Sequence, residues 1–250
     1  MAQIIAMHSH RGGTGRSSIA ANLARLMAEA GLRVALVDTD LQSPAAHVLF
    51  GLTTLAPGAT LADYLIGRCE VEDAAAAVPT VPGRSGLFLV PARAETSGIH
   101  EIIAEGYDVG LLREGFDRLV EALRLDVLLL DTHAGINNET VTAVASAHRL
   151  IVVTRSCRLD LTGAGETIDF AHQLGCSRHA LVVNMVPPGT DEHHARQRAE
   201  AAYGTAATAV LPYAPELACV AGDRLFAAAH PGHPLVAQFR AVIPSLLYEN

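Results

Sequence analysis

The chain has 250 residues, half of them hydrophobic, and a formal net charge of −8 from 18 basic and 26 acidic side chains. That length and apolar content suit one large domain spanning residues 1–250, while the acidic balance weighs against a protein devoted to coating nucleic acid, which needs a concentrated basic face. No apolar run approaches the roughly 18 uncharged residues of a membrane span, and the start, Met-Ala-Gln-Ile, lacks the pattern of a secretory signal, so a cytoplasmic protein is expected.

The first predicted element is a strand over residues 2–8, whose apolar run Ile4-Ile5-Ala6-Met7 leads into His8-Ser-His-Arg-Gly-Gly-Thr-Gly-Arg-Ser-Ser18 and then a helix over 17–30. A strand, a glycine-rich turn and a helix start gather backbone N–H groups and a helix N-terminus around one point. This makes an anion site suited to the phosphates of a nucleotide; the same glycines also suit an ordinary strand-to-helix turn. A strand over 33–38 ends in Asp38-Thr-Asp40, and a helix over 60–66 follows. Residues 74–77, four alanines, are expected to extend a helix, and the Pro, Gly and Ser of 78–86 predict a long surface loop. Next come a strand over 87–90, a helix over 108–123, and an apolar strand over 126–131 that ends in Asp131-Thr-His-Ala-Gly135. A helix over 137–146, a strand over 149–154 and a helix over 160–174 continue the alternation. The strand over 179–185 ends in Asn184-Met-Val-Pro-Pro, a helix covers 191–203, the strand over 207–211 runs into Pro212, and a helix over 233–246 closes the pattern. Strands that are continuously apolar suit a parallel sheet buried on both faces. The alternation predicts a doubly wound α/β fold, with the ligand at the carboxyl ends of the strands, where all these motifs fall.

The glycine loop resembles the deviant phosphate loop of the MinD/ParA ATPases, Lys-Gly-Gly-x-Gly-Lys-Ser/Thr, with Arg11 and Arg16 standing for both lysines. The segments ending in Asp40, Asp131, Asn184 and Pro212 match further motifs of that family in the same order. The resemblance implies a P-loop NTPase fold that binds ATP/ADP with Mg2+. Gly12, Gly13, Thr14 and Gly15 would wrap the β-phosphate, Ser17 and Asp131 would serve Mg2+, and Ser18 would touch the α-phosphate. Asp40 would orient the attacking water and Asp38 would support it near the cation; either aspartate also suits a helix N-cap. Asn184 would read the adenine edge and Pro212 would pack on the ring, although both segments also read as turns. Arg11 would cross a homodimer to the partner's phosphates. Arg16 keeps the charge of the matching lysine in a longer, planar group that prefers bidentate contacts, and this predicts slow hydrolysis.

All 18 basic residues are Arg, which compositional bias explains better than selection against amines. Cys69, Cys157, Cys176 and Cys219 lie far apart with no Cys-x-x-Cys, so reduced, largely buried thiols are expected, and an iron–sulfur carrier of the same superfamily is disfavoured. His133 falls where a γ-phosphate would be sensed. His193 and His194, about 100° apart on a helix, do not share an ion easily. Arg149, Arg155, Arg158 and Arg178 are expected to gather at one sheet edge, giving at most weak attraction for nucleic acid. The terminal helix holds only Arg240 as a cation, too few for a membrane-surface helix. Two function classes result: an ATP-driven switch that dimerises and acts on an unidentified protein partner or cargo, and a non-hydrolysing scaffold of the same fold. A nucleoid-binding partition ATPase is a further alternative.

Overall fold

The structure, a computed structural model, describes residues 2–52, 59–79, 86–93, 106–203, 207–220 and 224–248. Its strands are β1 (Gln3–His8), β2 (Val34–Asp38), β3 (Ala76–Val78), β4 (Leu87–Val90), β5 (Val127–Asp131), β6 (Arg149–Arg155), β7 (His179–Val186) and β8 (Ala207–Pro212). They form one eight-stranded sheet in the order β3-β4-β2-β5-β1-β6-β7-β8, parallel throughout except for the antiparallel β3–β4 pair.

Helices cover both faces, as the apolar strands require. On one side lie α1 (Arg16–Glu29) and, at the chain's end, the helix Pro234–Tyr248. They pack on Ile5, Met7, Leu36, Leu129 and Ile151. On the other side Ile4, Ala6, Val37, Leu128, Leu130 and Val152 form a core with the helices that follow. These are α2 (Ala46–Leu49), α3 (Leu61–Leu65), α4 (Gly110–Ala122), α5 (Asn138–Ser146), α6 (Arg158–Gln173) and α7 (Glu192–Tyr203), although α2 itself lies against the α1 face. The short α8 (Pro215–Val220) and α9 (Phe226–Ala229) precede the last helix, α10 (Pro234–Tyr248). Neighbouring residues of a strand point to opposite faces, so every strand but the short edge strand β3 feeds both cores.

β1 sits between β5 and β6, and the chain leaves it over α1 to reach β2 on the far side of β5. The loop after β1 therefore opens at the carboxyl edge of the sheet, where crossovers diverge and leave a crevice. The register pairs Asp131 with Met7 on one side and with Asp38 on the other, which brings three predicted motifs together at that edge.

Several expectations are corrected. Ala76 and Ala77 do not extend a helix; they begin β3, pairing with Leu89 and Phe88. Alanine's helix preference is weak beside an open sheet edge. The four arginines do not gather: Arg149 and Arg155 are at opposite ends of β6, an interior strand, so about 20 Å of extended chain separates them. Cys157 is exposed, whereas Cys176 is buried. Residues 80–85 of the expected loop lie outside the described residues, and so does the Cys219 side chain. Among the described residues no helix is long and apolar enough to cross a membrane.

Candidate functional site

The turn from β1 into α1 holds Gly13 at φ 76° and Gly15 at φ 84°, left-handed backbone that favours glycine. A Cβ on Gly15 would also lie 2.5 Å from Asn184 Nδ2, whereas one on Gly12 or Gly13 would meet nothing within 4 Å. Space is therefore closed beneath the loop and open above it. Gly15 caps α1 without a side-chain hydrogen bond, and the first turn has no acidic residue. The first amides and the positive end of the helix are thus left for an external anion. They border a cleft of about 350 Å³ lined by the loop from Gly12 to Ser18 together with Asp40 and His133.

Three carboxylates stand behind this cradle. Asp38, fully buried, accepts backbone N–H bonds from Asp40 (3.0 Å), Ala45 (3.0 Å) and Ala46 (3.0 Å), so it shapes the turn after β2. Burial, and then the neighbouring Asp131 charge, push its carboxyl up to about 7. Asp131 accepts a 2.6 Å bond from Arg16 Nε on Oδ1, while its Oδ2 is buried with no hydrogen-bond partner. Asp40 accepts from Ser43 N at 2.8 Å and hydrogen-bonds His133 Nδ1 at 2.9 Å, both through Oδ1; its Oδ2 lies 3.8 Å from Arg16 Nη2. Arg16 is only 8% exposed, and its remaining contacts, to Ser9 Oγ (3.5 Å) and Ser17 Oγ (3.4 Å), are long. His8, under the loop, hydrogen-bonds Thr132 Oγ1 at 2.7 Å; burial, with Arg16 nearby, lowers its pKa to about 3 and keeps it neutral.

The structure thus brings Gly12, Gly13, Thr14, Gly15, Arg16, Ser17, Ser18 and Asp40 to one cleft, with Asp38 and Asp131 behind it. Asn184 lies beneath the loop, where Nδ2 donates to the Thr14 carbonyl at 2.8 Å. Pro212 borders a separate cleft with Val186, Pro187 and Tyr213. Arg11 is about half exposed and leans toward Asp160, its Nε 4.0 Å from Oδ1; Asp160 also pairs with Arg155. The open glycine cradle fits nucleotide phosphates. A divalent cation fits less well, because Ser17 Oγ and Asp131 Oδ1, the oxygens assigned to it by resemblance, both receive Arg16.

One supporting contact escapes a reading by motif. His10 packs so closely on α6 that a Cβ on Gly163 would fall 2.2 Å from its ring. A glycine inside the helical pattern Leu161-Thr-Gly-Ala-Gly165 is the signal that marks such close approach.

Fold and loop together define a P-loop NTPase architecture. A family model described as ParA, NUBPL iron-transfer P-loop NTPase, matches residues 1–210. The antiactivator FleN of Pseudomonas aeruginosa is 34% identical over 185 residues, covering 73% of this chain and 61% of FleN. A putative septum site-determining protein MinD of Guillardia theta is 27% identical over 252 residues, covering 100% of this chain and 87% of that protein. This chain spans less than two thirds of FleN and of a similar ATP-binding protein of Methanocaldococcus jannaschii. Among solved structures, MinD of Pyrococcus horikoshii with Mg-ADP superimposes with a TM-score of 0.82 at 22% identity, covering 98% of this chain and 96% of that one. The chain belongs to the ParA/MinD family.

Proposed function

We propose that the chain is an ATP-binding switch: nucleotide seated in the glycine loop draws two copies together, the dimer acts on a partner protein or cargo, and slow hydrolysis resets it. The observation that carries this reading is the uncapped start of α1 above an open glycine turn, a preformed anion site at the sheet's crossover point. The loop amides and Arg16 would hold the phosphates, and ATP supplies the phosphoanhydride whose cleavage ends the active state. Asp40, which hydrogen-bonds His133 and the Ser43 amide, would orient the attacking water. Arg11, half exposed beside the loop, would swing from its 4.0 Å pairing with Asp160 to reach a second copy's phosphates. The related proteins are described as an antiactivator and as septum site-determining, and one solved assembly is a MinC:MinD complex, which supports a regulatory or positioning role through a protein partner.

The Arg16–Asp131 pair favours a second reading, a scaffold that binds nucleotide without turnover, because it engages the acid expected to serve Mg2+. The separation of Arg149 from Arg155 gives no support to a nucleoid-binding role. Titration with ATP, ADP and AMP tests the site. Because the cradle addresses the β-phosphate, AMP is expected to bind at least about tenfold more weakly than ADP; equal affinities would contradict the reading.

A further inference from the structure

Arg16 makes one short bond and several long ones, and the difference between them assigns it a role. Its Nε donates to Asp131 Oδ1 at 2.6 Å, which fixes the guanidinium plane near its base. Both terminal nitrogens make only loose contacts, 3.5 Å from Ser9 Oγ for Nη1, and 3.4 Å from Ser17 Oγ and 3.8 Å from Asp40 Oδ2 for Nη2. The side chain borders the cleft above the glycine turn. A guanidinium carries five N–H donors in a fixed fork that suits carboxylate and phosphate together, and it does not lose its charge at any pH the protein experiences. Mg2+ requires oxygen ligands in a tight octahedral shell. Here the hydroxyl and carboxylate oxygens nearest the cradle already face a permanent cation, and the remaining Asp131 oxygen is sealed from solvent.

We propose that Arg16 takes the place of the divalent cation, bridging Asp131 to the phosphates of a bound nucleoside di- or triphosphate, so that nucleotide binding by this chain does not depend on Mg2+. This rests on the reading of the glycine loop as a nucleotide site. A lysine at the same position would carry a single ammonium on a flexible stem, unable to hold carboxylate and phosphate in one plane. The metal requirement is therefore a property of residue 16 and not of the fold.

Isothermal titration with ADP and with ATP, each in saturating Mg2+ and in EDTA, tests the proposal on wild type and Arg16→Lys. The wild-type affinity is expected to change less than about twofold between the two conditions, while Arg16→Lys gains a Mg2+ dependence of about tenfold or more. Wild-type binding that tightens about tenfold on adding Mg2+ would overturn the inference and leave the nucleotide site intact. Mg2+-independent binding by both proteins would remove Arg16 as the cause. No binding of either nucleotide in any condition would instead bring down the underlying reading. The wild-type comparison stands by itself if the variant does not fold.

Discussion

Replacing Gly163 by alanine isolates the contact that holds the phosphate loop against α6. The added methyl would lie 2.2 and 2.3 Å from ring atoms of His10 and 2.8 Å from its Cβ. Ordinary contact begins near 3.4 Å, so the ring must retreat by about 1.2 Å and the Cβ by about 0.6 Å. Rotating the side chain relieves the ring but leaves the Cβ overlap, so backbone two residues before Gly12 must shift. In energy, alanine in a helix interior gains about 1 kcal/mol over glycine, and overfilling a packed site costs about 1–3 kcal/mol. The net effect on stability is small, between none and about 2 kcal/mol of destabilisation. The effect on the loop is read separately: nucleotide affinity is expected to fall about tenfold, ~1.4 kcal/mol. Urea unfolding and nucleotide titration of Gly163→Ala measure both. Gly115→Ala is the matched control, since its Cβ would meet Tyr64 Cε1 at 2.9 Å in the core behind α4. It is expected to change stability and leave affinity alone. Adding His10→Ala to Gly163→Ala should restore binding, because neighbours that clash are not additive. Wild-type affinity in Gly163→Ala, or an equal loss in Gly115→Ala, would refute the reasoning.

Three further outcomes are expected. Asn184→Ala, which leaves the buried Thr14 carbonyl without its donor, should cost about 1–3 kcal/mol in urea unfolding; an unchanged midpoint would show that the amide does not support the loop. His8 is held neutral in the folded state with its pKa lowered to about 3, so the unfolded chain binds the extra proton first as pH falls. Its contribution to stability is therefore complete above pH 6.5 and is lost toward pH 3, by about 1.4 kcal/mol per pH unit; His8→Asn should flatten this part of the stability–pH curve, and an identical slope would count against the assignment. Arg16→Lys is expected to raise steady-state phosphate release about tenfold for each ~1.4 kcal/mol of transition-state stabilisation regained, and Asp40→Ala to abolish release while sparing binding. Background rates in wild type and Arg16→Lys alike, with ATP bound, would leave the scaffold reading.

The alternating elements were legible because parallel strands buried on both faces read as unbroken apolar runs, and because the glycine turn lies between an apolar run and an amphipathic stretch. The positions of Asp38, Asp40 and Asp131 at or just after strand ends followed from the same pattern, and the register places Asp38 beside Asp131. Residue identity did not reveal direction. Arg16 was readable as a cation in the loop, but its turn back onto Asp131 depends on packing between β1 and β5. Asn184 was readable as a strand end, yet its amide reaches the loop from below through a contact 170 residues away in sequence. The alanines of β3 carry no strand signal of their own, since pairing with β4 decides their conformation. The helices α2 and α9 are a single turn each, too short to show a period.

The most direct test of the central claim is the mass of the protein in solution, by sedimentation with saturating non-hydrolysable ATP analogue, with ADP, and without nucleotide. Binding is confirmed separately in each case. The account predicts a dimer with the ATP analogue, a monomer in the other two conditions, and loss of the dimer in Arg11→Ala with nucleotide still bound. A wild-type monomer under saturating, confirmed ATP-analogue binding would contradict it.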